Sequence, residues 1–378
     1  MKIIADENIA EVSSFFADFG EVHCLPGREI SPADLKQADM LLVRSVTRVD
    51  ESLLAGTSVK FVGTCTIGTD HLDQDYLQHR GIGVASAPGC NALAVVDYVV
   101  SAMAEIASRD SFCLSDRILG IVGLGNVGSR LRQRAQALGM RNVCCDPPLA
   151  LGGMKGLVTL PELLAQADIV SLHTPLIREG NDPTYHLLNR ENLARLKPGA
   201  ILINSSRGAV LDNNALTAVL RQRPDLRVVL DVWENEPEIN LELLSQVAIG
   251  TPHIAGYSLE GKLRGTAMVY EAACRFFEQQ VRHRIDDYLP APQMLAPHGE
   301  SQSGIQQLYQ LVRECYDIAA DDEALKGLCG ADADDLAAGF DRLRKDYPLR
   351  REFAYLRLTG CAEPLLQQQL QALGIGFC

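Results

Sequence analysis

Residues 118–135, ILGIVGLGNVGSRLRQRA, constrain the fold of this chain more than any other stretch. The first five are apolar and read as a buried strand. Gly123, Gly125 and Gly128 follow as G-x-G-x-x-G, and a helical pattern then begins. Strand, glycine turn and helix in that order form the phosphate-binding end of a doubly wound α/β domain. Gly123 permits the tight turn, Gly125 lets the backbone approach a pyrophosphate, and Gly128 lets helix and strand pack closely. The helix start offers unpaired N–H groups to the phosphates. About twenty residues on, the next predicted strand ends at Asp146. A carboxylate there accepts both ribose hydroxyls and repels a 2′-phosphate, which favours NAD over NADP. The plainer alternatives are a simple tight turn, and a turn aspartate before Pro147 and Pro148.

Short apolar runs with polar or glycine punctuation recur along the chain. Lys2–Ala5, Met40–Arg44, Phe61–Gly63 and Gly83–Ser86 are predicted strands. NALAVVDYVVSAMAEIASR, Asn91–Arg109, predicts one long buried helix. A second series starts at Arg117, with strands at Ile118–Val122, Asn142–Cys145, Ile169–Leu172, Ala200–Asn204, Arg227–Leu230 and Val247–Gly250. A helix is predicted at Leu259–Gln279. Alternation of this kind predicts parallel sheets. The stretch 286–304, DDYLPAPQMLAPHGESQSG, reads as a linker. Beyond it, Ile305, Leu308, Tyr309, Val312, Cys315 and Tyr316 fall on one helical face, and another helix is predicted at Pro364–Leu373. This tail carries no catalytic motif and reads as an oligomerisation or capping module.

Three segments place polar residues just after predicted strands, where an open α/β sheet binds its ligands. They are NSSRGAVLD with Arg207, LDVWENEP with Asp231 and Glu236, and TPHIAGYS with His253. These residue types suit oxidation of an alcohol beside a carboxylate. A histidine takes the hydroxyl proton as hydride leaves. A carboxylate favours the imidazolium that forms. An arginine holds the substrate carboxylate and the developing carbonyl oxygen. Each also has a structural alternative: a surface ion pair for Arg207, a solvated loop carboxylate for Glu236, a satisfied structural histidine for His253. His173, in SLHTPL, is a competing candidate base.

The segments GTCTIGTDHLD, NALAVVDYVV, GIVGLGNVGSRL, SLHTPL, NSSRGAVLDNNAL, DVWENEP and TPHIAG, in this order, resemble the D-isomer-specific 2-hydroxyacid dehydrogenase family. The resemblance implies an α/β protein with two Rossmann-like doubly wound parallel-sheet domains and a small C-terminal α+β dimerisation domain. The implied division is 1–95 plus 257–285 for the substrate-binding (lid) domain, 96–256 for the NAD-binding Rossmann domain and 286–378 for the dimerisation domain. Arg207, Glu236 and His253 match the family's catalytic residues. Its cofactor contacts match Gly123, Gly125, Asn126, Val127, Gly128, Asp146, Thr174, Ser206, Arg207, Asp231 and Gly256. His173 matches a structural H-x-P-L position, which implies a structural role for it. KIIADENI, LLVRSVTRVD, IAGYSLEGK and the tail resemble a member acting on a small phosphorylated sugar acid, with Ser45, Thr66 and Tyr257 facing the substrate. From the residues themselves, the Thr- and Gly-rich loop 64–69 offers donors to an anion, and Arg44 and Arg48 flank Ser45 and could add positive charge. Which residue holds the phosphate is open. The same chemistry on 3-phosphoglycerate, and an NAD-sensing corepressor-like binding protein, stand as alternatives.

The formal charge of −13 disfavours a nucleic-acid partner. No apolar run approaches the ~20 residues that cross a bilayer, and no signal peptide is recognised at the N-terminus. The 11 cysteines include no C-x-x-C pair, so no metal site is expected, and most read as small buried residues in a reducing cytoplasm. A cytoplasmic homodimer is the expected state.

Overall fold

Apolar runs of four or five residues become the strands of two parallel sheets. The computed structural model describes residues 1–296, 305–330, 333–359 and 363–378. The chain divides into two compact units, Met1–Asn91 with Ser258–Ala291, and Ala92–Tyr257 with Pro292–Cys378. Each unit is therefore built from two separate stretches of chain.

The first unit holds β1 (Lys2–Asp6), β2 (Glu21–Leu25), β3 (Met40–Val43), β4 (Phe61–Thr64) and β5 (Gly83–Ala85), in the order β2-β1-β3-β4-β5. No strand was expected at Glu21–Leu25. It lies at the sheet edge, pairs only with β1 and has no fully buried residue, so its apolar signal is weak. Helix Leu259–Phe276 is capped by Ser258, whose Oγ accepts the Gly261 N–H at 2.9 Å. Its Tyr270 is fully buried against Phe15, Phe16 and Phe19, with centroids 5.7, 5.5 and 6.0 Å away. Burying one such side chain contributes roughly 1.5–3 kcal/mol.

The second unit holds β6 (Ile118–Val122), β7 (Arg141–Cys145), β8 (Ile169–Leu172), β9 (Ile201–Asn204), β10 (Arg227–Leu230) and β11 (Ile249–Gly250), in the order β11-β10-β9-β8-β6-β7. A parallel bridge between Cys144 and Leu157 extends the sheet beyond β7. The register aligns the carboxyl ends: Val122 with Cys145 and Leu172, Leu172 with Asn204, Asn204 with Leu230, Leu230 with Gly250. Residues that follow these strands thus emerge along one edge. Helix Ala92–Arg109 matches its expected position and is buried on nearly every face.

Residues from Pro292 onward form a small parallel sheet, β12 (Gln293–Leu295), β13 (Leu356–Leu358) and β14 (Gly376–Phe377), with helices Ile305–Cys315, Ile318–Lys326, Ala333–Lys345 and Pro364–Ala372. The expected linker therefore contains a strand, and its residues 297–304 lie outside the described residues. This segment shares both cores of the second unit. Leu308, Tyr309, Val312 and Phe353 join the layer around helix Ala92–Arg109, while Leu325, Leu336 and Phe340 join the layer around Trp233 and Leu244. The Leu114 N–H donates to Tyr309 Oη at 2.9 Å, and the Phe353 N–H donates to Asp97 at 2.9 Å. At the edge strand β11, the Gly250 N–H donates to Asp322 at 2.7 Å, and Lys326 Nζ donates to the carbonyls of Val247 and Ala248 at 3.1 and 3.3 Å.

Removing residues 292–378 would expose both layers, a loss comparable to a whole domain's stability of about 5–15 kcal/mol. The truncated chain is expected to aggregate. A monodisperse truncated protein with an unchanged Tm would contradict this shared core.

Candidate active site

At the end of β6 the chain turns through the glycine loop into helix Asn126–Ala137. A Cβ on Gly128 would lie 1.9 Å from the Gly123 carbonyl oxygen, so only glycine lets this helix start so close to the strand. At Gly125 a Cβ would meet no atom within 4 Å, which leaves an open face above the helix N-terminus. Asp146 accepts the Leu124 N–H at 2.8 Å and the Leu149 N–H at 3.0 Å. It therefore ties the loop to β7 and also caps helix Pro147–Leu151. The hydroxyls of Thr174 and Ser205 are buried with no hydrogen-bond partner. An open helix start, a strand-end carboxylate and two unanswered hydroxyls fit a dinucleotide.

His253 and Glu236 meet next to this edge. His253 Nδ1 lies 2.7 Å from Glu236 Oε2, and Glu236 Oε1 accepts the Trp233 N–H at 2.8 Å. Burial alone would raise the Glu236 carboxyl. The facing imidazole, their hydrogen bond, the Trp233 N–H and the charge of Arg344 outweigh it and hold the carboxyl below its ordinary range. His253 adopts the left-handed backbone conformation, with φ 56°. Asp231 holds it there. Its carbonyl accepts the His253 N–H at 2.7 Å, and its carboxylate accepts Ile254 N–H, Ala255 N–H and the Thr251 hydroxyl at 2.7, 3.0 and 2.7 Å. With 1% of its surface exposed, Asp231 organises this loop from inside the protein.

Arg207 follows β9 on a turn that Asn204 shapes. Asn204 Oδ1 accepts the Ser206 N–H and hydroxyl at 3.1 and 2.8 Å, and its Nδ2 donates to the Arg207 carbonyl at 3.0 Å. The Arg207 guanidinium donates back to the Ser206 carbonyl at 2.8 Å. A Cβ on Gly208 would lie 2.0 Å from the Trp233 carbonyl oxygen, so glycine here lets the Arg207 turn touch the loop that carries Glu236. Asn204 was missed in the sequence. The signal was an asparagine at a strand end, ahead of a serine pair.

His173 is partly buried, with Nε2 2.9 Å from the Ser171 hydroxyl. Desolvation pushes its pKa down to about 3. A ring that stays neutral is suited to a structural role. Among the described residues, His186, Asp212 and Glu234 form a group whose spacing could hold a metal ion. Their atoms are engaged internally: His186 with Glu234 at 2.8 Å, Glu234 with the Asn213 N–H at 2.9 Å, Asp212 with the Ala215 N–H at 2.8 Å. The group braces the Glu236 loop.

Residues 101–255 match the model of the D-isomer specific 2-hydroxyacid dehydrogenase NAD binding domain, and residues 288–374 match a domain of unknown function. An erythronate-4-phosphate dehydrogenase of Shigella boydii serotype 4 is 50% identical over 360 residues, covering 94% of this chain and 93% of that enzyme. The chain belongs to the erythronate-4-phosphate dehydrogenase family. Like other D-isomer-specific 2-hydroxyacid dehydrogenases, it is an NAD-dependent dehydrogenase. An NAD-bound 3-phosphoglycerate dehydrogenase from Entamoeba histolytica superposes with TM-score 0.63 at 26% identity, over 74% of this chain and 95% of that one. A D-lactate dehydrogenase from Aquifex aeolicus, complexed with NAD and lactic acid, superposes with TM-score 0.61 at 25% identity, over 74% and 96%.

In this family member the four expected substrate residues divide between the units: Arg44, Ser45 and Thr66 in the first, Tyr257 in the second. Arg44 Nε is paired with buried Asp6 at 3.2 Å, so much of its charge is already answered. Arg48 is 85% exposed and pairs with Asp50, as a surface residue does. Ser45 is exposed, and Thr66 shares a hydroxyl chain with Thr64 at 2.7 Å and on to His71 at 3.0 Å. Tyr257 packs edge-on to Tyr347, with centroids 5.8 Å apart, and lies under the guanidinium of Arg344, 5.9 Å from its ring centre. Both neighbours come from the C-terminal segment, which the sequence reading left without site residues.

Burial of the His173 ring carries a pH signature. The folded pKa of about 3 lies below the ordinary 6.5, so the unfolded chain binds more protons between them. This contribution to stability is complete above about pH 6.5 and is lost as pH falls toward about 3. His173→Asn is expected to flatten the acid side of the stability curve in urea melts. An unchanged slope would exclude His173 as its source.

Proposed function

We propose that this dehydrogenase oxidises 4-phospho-D-erythronate to (R)-3-hydroxy-2-oxo-4-phosphooxybutanoate with NAD, in the synthesis of pyridoxal 5′-phosphate. The observation that carries the reading is the His253–Glu236 pair, 2.7 Å apart after neighbouring strands β10 and β11. The substrate follows from the 50% identity to enzymes named for it.

Arg207 receives the substrate carboxylate and polarises the oxygen that becomes the C2 carbonyl. His253 donates its Nδ1–H to Glu236, which leaves Nε2 to take the C2 hydroxyl proton. Glu236 stabilises the imidazolium that results. NAD, when bound, accepts the C2 hydride. Gly123, Gly125, Asn126, Val127, Gly128, Asp146, Thr174, Ser206, Arg207, Asp231 and Gly256 would hold it, and Asp231 also orders the His253 loop. Ser45, Thr66 and Tyr257 bind the substrate. The C-terminal segment joins two chains into a homodimer. Met294, Leu349 and Leu365, exposed at 51%, 69% and 61%, together with the outer strands of the β12–β14 sheet, support that role. Among the described residues no helix is long and apolar enough to cross a membrane. The enzyme draws on the cytoplasmic NAD pool.

Turnover with NAD, followed as NADH at 340 nm without an acceptor and as reduction of a 2-oxoacid when one is added, tests the reaction. 4-Phospho-D-erythronate is expected to exceed 3-phosphoglycerate in kcat/KM, and the reverse preference would overturn the substrate. His253→Ala is expected to lower kcat about 100- to 10,000-fold, the weight of a lost general base. Near-normal turnover in that variant would remove His253 from the mechanism. Light scattering on the intact protein should give twice the chain mass, and a monomer at micromolar concentration would refute the dimer.

A further inference from the structure

The last turn of helix Ala333–Lys345 carries Arg342, Arg344 and Lys345. Arg342 and Lys345 are exposed, as basic residues at a helix end usually are. Arg344 turns inward and keeps 16% of its side chain open. Its Nε is buried without a hydrogen-bond partner. Asp341 reaches its Nη1 only at 3.9 Å, beyond hydrogen-bonding distance. The charge of Glu236 also acts on Arg344, but Trp233 and His253 already engage the two Glu236 oxygens. Tyr257 lies beneath the guanidinium and shares a side-chain hydrogen bond with it, which leaves Nε as the unanswered group.

A guanidinium held out of water with one N–H unanswered is costly unless an anion completes it. Its planar fork suits the oxygens of a phosphate monoester. The proposed substrate carries a carboxylate, assigned to Arg207, and a phosphate with no assigned partner. Arg44 is already answered by Asp6. Arg350, the other arginine near Tyr347, also has an unpartnered buried nitrogen, Nη1, but it is the more deeply buried of the two, with 8% of its surface exposed, and it is tied to the Ala255 carbonyl.

We propose that Arg344, carried to Tyr257 by the C-terminal segment, receives the phosphate group of the substrate. The segment then sets specificity for a phosphorylated acid, in addition to its structural role. The assignment rests on the phosphorylated-acid reading above.

The intact protein, Arg344→Gln and Arg344→Lys are compared with NAD on 4-phospho-D-erythronate and on D-erythronate, which lacks the phosphate. The ratio of the two kcat/KM values is expected to fall about 10- to 100-fold in Arg344→Gln, the weight of one charge-assisted contact. Arg344→Lys should keep part of the ratio, and it carries the test if the Gln variant does not fold. An unchanged ratio overturns the proposal, whether both rates fall together or neither does. Calorimetry with inorganic phosphate, in the presence of NADH, probes the same residue without turnover. Phosphate bound by the parent protein and lost in the variants supports the assignment. Phosphate bound equally by all, or by none, overturns it. If the parent protein shows no preference for the phosphorylated acid, the substrate reading fails, and the calorimetry alone decides the role of Arg344.

Discussion

Asp231 ends β10 inside the protein, and the geometry of the site is built around its two carboxylate oxygens. They gather the Thr251 hydroxyl and the N–H groups of Ile254 and Ala255, while the Asp231 carbonyl holds the His253 N–H. The loop after β11 is thereby folded back onto β10, and His253 is held in the left-handed conformation that aims it at Glu236. Thr251 extends the cluster, with its hydroxyl 2.8 Å from Tyr98 Oη and its carbonyl accepting Trp233 Nε1–H at 3.0 Å. Burial raises the Asp231 carboxyl, and the His253 charge and the gathered donors oppose that rise. Without this carboxylate the N–H groups of Ile254 and Ala255 would stand unanswered in the interior, at about 1–3 kcal/mol each.

The same loop is held from its other side by the C-terminal segment. Arg350 donates to the Ala255 carbonyl, Asp322 accepts the Gly250 N–H, and Lys326 reaches the carbonyls before β11. Arg350 lies over the Tyr316 ring, 4.4 Å from its centre, and its surroundings keep it charged although burial opposes the charge. Side chains of the C-terminal segment therefore cover part of the outer edge of the main sheet at β11.

Much of this was legible because buried parallel strands read as uninterrupted apolar runs. Ile118–Val122, Ile169–Leu172 and Arg227–Leu230 fall where the sequence predicts them, and the NAD site follows from a motif with its strand and helix in place. Glu21–Leu25 was illegible because an exposed edge strand carries little hydrophobic contrast, and Gln293–Leu295 because its strand lies in a Pro-rich stretch. The pairing of Arg44 with Asp6 joins residues 38 apart, and no local pattern announces it. The inward turn of Arg344 is likewise a consequence of tertiary packing. Along the chain it is one of several basic residues at a helix end.

The division of the chain has a consequence for its synthesis. The first unit lacks its helix Leu259–Phe276 until nearly three quarters of the chain has been made, and the second completes neither of its two core layers until the C-terminal segment emerges. Neither unit can close in the order in which it is translated. A ribosome-bound chain would therefore display the apolar face that helix Leu259–Phe276 later covers, and the part of the layer around Ala92–Arg109 that the C-terminal segment later covers, until those segments emerge. Such a chain depends on chaperone cover more than a protein whose domains are finished one after another.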